Sequence, residues 1–183
     1  VQFAYAGHDV ALLDQKPRPD ADFTTLAEGA LAQVADDAAL HRALGADDNS
    51  IALILQHVGG NLRSRFTDFL TSDGEKPWRD RDGEFVDGHA TRADLRAWWD
   101  AGWTVLQTTL GALGPDDLRR TVTIRGQPLT VDEALQRTLA HTAYHVGQIV
   151  LLARWIVGDG WTSLSIPRGG SAGYAQAPNR ERG

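Results

Sequence analysis

The sequence predicts an all-α domain built as a bundle of four helices, and three observations predict it. Four stretches carry apolar residues or strong helix formers at helical spacing, three of them open on side chains able to cap a helix N-terminus, and the connections between them are marked by Gly, Pro and charge. A length of 183 residues suits one domain with an ordinary core. The expected domain is 1–183, with 1–20 unassigned and 170–183 a flexible tail.

Lys16-Pro17-Arg18-Pro19-Asp20 breaks regular structure, and the Ala- and Leu-rich stretch from Asp22 through Leu44 predicts the first helix. Asp47-Asp48-Asn49-Ser50 then sets capping side chains directly before Ile51, Ile54, Leu55, Val58, Leu62, Phe66 and Phe69, so a second helix begins near Ser50. Inside it, Gly59-Gly60 costs about 1 kcal/mol per glycine relative to alanine, which calls for close approach by another helix or a ligand. From Thr71 to Ala90, glycines, a proline and many charges without periodicity predict a long ordered connection, a type of loop that more often serves function than not.

Thr91 and Asp94 resemble an N-terminal cap, followed by Leu95, Trp98, Trp99, Gly102, Leu106, Leu110 and Leu113 at helical spacing up to Gly114-Pro115. Thr121-Val122-Thr123-Ile124, the turn-like Arg125-Gly126 and Gln127-Pro128-Leu129 predict a small hairpin, confined to an edge by Pro128. Thr130 and Glu133 form a capping box that opens a long fourth helix running through Ile156 and stopping at Gly158. The Gly-, Ser- and Pro-rich remainder predicts an irregular tail with frayed last residues.

Composition excludes several classes of function. A net charge of −6 argues against a sequence-independent nucleic-acid binder, which needs a dense basic face. The chain has no cysteine, so disulfides, thiolate metal sites and a cysteine nucleophile drop out, and a metal must sit on His, carboxylate, amide or water. No apolar run approaches the roughly 20 residues that cross a bilayer, and the opening residues lack the basic flank of a secretory signal. These observations lead to the expectation of a soluble, cytoplasmic protein without membrane or nucleic-acid partners. The chain opens at Val1 and contains no methionine, so its natural first residue is expected to be missing.

The chemistry centres on histidine. His141 and His145 in H-T-A-Y-H stack on one helix face together with Ala134, Thr138, Ile149 and Leu152, so both imidazoles point into the bundle. Two adjacent buried imidazoles are costly if both protonate, whereas neutral imidazoles sharing a cation are good ligands. His57, beside the apolar stripe of the second helix, would face them. The motif lacks the Glu of HExxH metalloproteases, and no Glu-x-x-His pair suggests a di-iron site. His8, His41 and His89 read as surface histidines. Tyr144, Gln148 and Asn61 are candidates for bonding a substrate or water beside the site, against plain packing roles. Arg63, Arg65, Arg79 and Arg81 bracket the long loop and would bind a carboxylate of a substrate or thiol, or else pair on the surface with Asp80, Asp82 and Glu84. Trp98, Trp99 and Trp103 point to core or subunit interface.

One His in the second helix and HxxxH in the fourth resemble the DinB superfamily of bacterial metal-binding four-helix bundles. More specifically, NSIALILQHVGGNLRSRFTDFLTSDGEKPWRDRDGEF, LAHTAYHVGQIVLLAR and LSIPRG, from about Asn49 to the tail, resemble a DinB-like branch of uncharacterised function. The resemblance implies one divalent ion of zinc, nickel or iron type held by His57, His141 and His145, with a homodimer suggested by the family and by the aromatic third helix. It also implies a low-molecular-weight thiol or another small molecule as partner. Some members of the superfamily are thiol-S-transferases or isomerases. Three protein ligands would leave a position open for a water or thiol whose pKa is lowered. A hydrolase-type enzyme, a noncatalytic stress-related metal- or ligand-binding module, and a metal-free dimer with histidines in a polar core network stand as alternatives. Catalytic residues are not assigned. For a three-His site, affinity is expected to fall as pH drops through about 6, since ligand imidazoles must be neutral.

Overall fold

In the computed structural model, residues 23–176 are described; the proline-punctuated breaker Lys16–Asp20, His8, the start of the first helix at Asp22 and the final frayed residues lie outside them. Among the described residues, five helices, α1 (Phe23–Gln33), α2 (Ile51–Phe66), α3 (Arg92–Ala112), α4 (Val131–Val157) and α5 (Ser171–Gln176), accompany a two-stranded antiparallel hairpin, β1 (Thr121–Ile124) and β2 (Gln127–Thr130). The structure is thus mostly helical, with one small hairpin.

The helix starts follow local capping chemistry. The Ser50 hydroxyl accepts from the Leu53 N–H, and reciprocal boxes form between Thr91 and Asp94 and between Thr130 and Glu133. At its far end α4 stops on Gly158, whose φ of 63° suits glycine. The first helix is the main departure. Instead of reaching Leu44 it ends at Gln33, and a 3₁₀ turn occupies Asp37–His41. Two competitors end it. The Asp36 carboxylate caps the Ala38 N–H, and the Arg92 guanidinium, from the start of α3, donates to the Leu31 and Val34 carbonyls that a longer helix would have used. The expected irregular tail also acquires a helical turn, α5.

Helices α2 and α3 share the most extensive helix–helix contact, while α1 and α2 both pack on α4. The α2–α3 contact explains half of the glycine pair. A Cβ on Gly59 would lie 2.5 Å from the Trp98 carbonyl oxygen, and one on Gly102 would lie 2.7 Å from the Gly59 carbonyl oxygen, so the two backbones touch where neither residue has a side chain. The core joins Ile51, Ile54, Leu55, Val58, Leu62 and Phe66 of α2 to Leu95, Trp99 and Leu106 of α3 and to Val131, Ala134, Val146, Ile149 and Leu152 of α4. Trp99 is buried and Trp103 packs against the core, whereas Trp98 is exposed.

The hairpin pairs Ile124 with Gln127 around Arg125 and Gly126, both at positive φ (55° and 70°). Asn or Gly is the usual first residue of such a turn. Here the Asp73 carboxylate holds the turn by accepting from the Arg125 and Gly126 N–H groups, and the Thr123 carbonyl accepts from the Gly74 N–H. Burial raises the Asp73 pKa, but the bonds its carboxylate accepts from the Glu75, Gly126 and Arg125 N–H groups outweigh it and leave the carboxyl well below the usual range. The long loop is therefore tied to the hairpin, as an ordered connection requires. Among the described residues, no helix is long and apolar enough to cross a membrane.

Candidate metal centre

Helical spacing brings His141 and His145 onto one face of α4, and the packing of α2 against α4 delivers His57 opposite them. Nε2 of His57 lies 3.2 Å from Nε2 of His141. The rings stand edge to face, with centroids 4.5 Å apart for His141 and His145, 5.0 Å for His57 and His145, and 5.2 Å for His57 and His141. One ring nitrogen from each of the three falls within 4.8 Å of the others, close enough to hold a metal ion. His57 and His145 are buried and His141 is half-buried. On the same face Ala134, Ile149 and Leu152 are buried and Thr138 half-buried, as the helical period predicts.

Two of the rings are oriented from behind. Nδ1 of His57 lies 2.9 Å from Glu84 Oε2, and Nδ1 of His145 lies 2.8 Å from Gln148 Oε1. Both oxygens accept, so each Nδ1 carries the proton and each Nε2 presents a lone pair. Two Nε2 atoms facing each other at 3.2 Å need a proton or a cation between them, and a cation suits three neutral nitrogen donors. Three imidazoles fit an ion of the zinc, nickel or iron type on donor chemistry.

Glu84 was hidden in the sequence among surface charges. It sits in the 3₁₀ turn Gly83–Phe85, and its side chain is only 8% exposed. Arg79, itself 1% exposed, grips it with two bonds, Nε to Oε1 at 2.8 Å and Nη2 to Oε2 at 2.7 Å. Gly60 makes room for this arrangement, since a Cβ there would sit 2.2 Å from Glu84 Oε1. The glycine pair thus serves two contacts, Gly59 a helix and Gly60 the carboxylate behind His57. A Phe85 ring 4.7 Å from the His57 ring closes one side.

The electrostatics favour the neutral imidazole at His141 and His145. Burial first, then the His145, His57, Arg79 and Arg137 charges, lower the His141 pKa to about 4. Burial and His57 lower His145, against a raising hydrogen bond from Gln148. Burial raises Glu84, but the His57 and Arg79 hydrogen bonds and charges outweigh it, so Glu84 titrates below the usual carboxylate range. For one ligand this bears on the expected release of metal through pH 6. At His141 the competing proton enters near 4, because burial and neighbouring cations penalise the imidazolium. In the metal-free protein the sign follows from linkage. Below about 6.5 the unfolded chain takes a proton at this position that the folded chain refuses down to about 4, so stability falls with pH across that window. The urea midpoint of metal-free protein is expected to decline over this range and to decline less in His141→Gln. Superimposable acid limbs would remove His141 from the account.

Beside the triad lies a cavity of about 190 Å³ whose lining includes His57, His141, Asn61 and Thr138. Of the bracketing arginines, Arg65, Arg79 and Arg81 line it, whereas Arg63 stacks over the Trp78 ring at 4.7 Å. The surface-pair alternative holds only for Arg81 with Asp82, both exposed, at 3.6 Å. Arg65 donates to the Gly74 carbonyl and to Glu75 from a buried position. Two further arginines, Arg125 of the hairpin turn and Arg137 of α4, complete the lining; the sequence reading singled out neither as a functional residue. Arg137 lies one helical turn before His141, and that spacing was the available signal. Gln148 reaches His145 and also donates to the exposed Tyr144 hydroxyl at 3.1 Å.

A second cluster, His41 with Asp87 and His89, also brings ligand-type atoms together. It does not have the same character. His41 Nδ1 faces Asp87 Oδ1 at 2.8 Å and Nε2 faces the Ala90 carbonyl at 3.1 Å, so both ring nitrogens are engaged by acceptors. His41 is half-buried and pins the loop end to the 3₁₀ turn, a structural role its surface reading missed; His89 is exposed as expected.

A family model described as "Protein of unknown function (DUF1572)" matches residues 15–170, reaching well before the Asn49 at which the resemblance was placed. No curated protein and no solved structure matches the chain.

Proposed function

Since the chain belongs to the DUF1572 family, whose description carries no function, we propose from the site that it is a DinB-like four-helix bundle, with α1 to α4 as the bundle. In this reading it holds one divalent ion at His57, His141 and His145 and acts as a metal-dependent thiol-S-transferase or hydrolase-type enzyme. The observation that carries it is the convergence of three imidazoles from two helices, two of them with Nδ1 secured by Glu84 and Gln148. A bound ion would lower the pKa of a thiol or water toward neutrality and make it a nucleophile. The chain's own residues do the rest. Glu84 and Gln148 fix the tautomers and ring planes, Arg79 fixes Glu84, and the adjoining cavity gives a small molecule access to His57 and His141.

The test is metal content by mass spectrometry on protein purified without chelator or nickel affinity resin. About one ion per chain is expected in the wild type and a small fraction of that in His141→Ala, with unchanged helical circular dichroism. Equal metal content in the two proteins would sink the reading. A second reading, a noncatalytic metal-binding module, is favoured by one observation: among the described residues, no carboxylate, phenol or further imidazole lines the cavity to act as general base. Metal-loaded protein without turnover of thiol or ester substrates would support it.

A further inference from the structure

The cavity beside the triad gathers five guanidinium groups, Arg65, Arg79, Arg81, Arg125 and Arg137, in a chain whose net charge is −6. Among the described residues, no carboxylate lines it. Behind the lining, Glu75 accepts from both Arg65 and Arg125, Glu84 accepts from Arg79, and exposed Asp82 lies near Arg81. Three carboxylates therefore answer five cations, and Arg137 has no ion pair among the described residues. A second observation points the same way: Nη1 of Arg79 is buried without a hydrogen-bond partner, its nearest ion-pair oxygen, Glu75 Oε1, lying 3.8 Å off. A buried donor left unmatched in a cationic cavity is a place for an acceptor. Arg125 reaches the cavity from a turn position that an arginine seldom occupies, held there by Asp73.

We propose that this cavity binds the oxyanion of a small acidic molecule, a carboxylate or phosphate, and so presents the rest of that molecule to the histidine triad. The inference rests on the metal-site reading only for what happens at the triad; binding of the anion follows from the arginines. Arginine's planar fork matches both oxyanions and is weakly hydrated, which suits it to a partly desolvated site. A volume of about 190 Å³ has room for a small organic acid. Because Arg137 and His141 stand one turn apart, an anion at Arg137 leaves its neighbouring atoms beside His141.

The experiment is calorimetric titration of the full chain with succinate, with inorganic phosphate and with neutral succinamide. It is run on zinc-loaded and on metal-free wild type, Arg137→Ala and Arg125→Ala. Saturable binding of succinate or phosphate is expected, absent for succinamide, weakened by added sodium chloride and at least tenfold weaker in both variants, with zinc content unchanged in Arg137→Ala. Preference for succinate or for phosphate assigns the oxyanion. Equal heats from succinate and succinamide, or undiminished binding in both variants, overturn the proposal. Zinc retained with no anion binding defeats this inference alone, while anion binding to a chain that holds no metal defeats the metal reading alone.

Discussion

Replacing Glu84 with alanine is expected to weaken both the fold and the proposed metal site, by about 3 to 5 kcal/mol in stability and about 10- to 100-fold in metal affinity. The carboxylate accepts three bonds in a buried setting, two from Arg79 and one from His57 Nδ1. Removing it strands a guanidinium that is 1% exposed, with only Glu75 at 3.8 Å to answer it. It also frees His57 to rotate and to change tautomer, which takes the Nε2 lone pair away from His141. Glu84→Gln should fall between, since an amide oxygen can still accept from His57 but its nitrogen cannot accept from Arg79. Urea denaturation and competition with a zinc chelator measure the two effects. A Glu84→Ala protein matching wild type in both would mean that the loop does not support the site.

Gly59→Ala is the second large effect, an expected loss of about 1 to 3 kcal/mol even though alanine is the better helix former by about 1 kcal/mol. The new methyl would meet the Trp98 carbonyl oxygen at 2.5 Å and its carbon at 2.8 Å. Both are backbone atoms of α3, so relief requires moving the helices apart, which also loosens Trp99 and Leu95 in the core. Gly147→Ala in α4 is the control, because nothing lies within 4 Å of its added Cβ and the helix should gain stability. Denaturation midpoints for the two variants should move in opposite directions. A shift of the same sign and size would show that the α2–α3 approach tolerates a side chain.

The helices and the histidine triad were legible in the sequence because their signals are local or periodic. Ser50, Thr91 and Thr130 cap the N–H groups three residues on, and His141 and His145 share a face by the helical repeat alone. Gly59-Gly60 announced a close approach without naming what approaches. The first helix was read too long, since its Ala and Leu favour helix through Leu44 but nothing nearby shows that Arg92, from another helix, takes the Leu31 and Val34 carbonyls. Propensity is a weak prior against such a partner.

By itself, then, the sequence determined where α2, α3 and α4 begin, where the hairpin turns and which three imidazoles face inward, since each depends on neighbours within a turn or two of chain. Only the tertiary structure decided what surrounds those imidazoles. Glu84 lies 27 residues from His57, in a loop without periodicity, and identical charges beside it remain in solvent. Arg125 and Arg137 reach one cavity from a hairpin and a helix. Whether a charged residue is buried or solvated is set by what packs over it, and no local pattern in the chain encodes that.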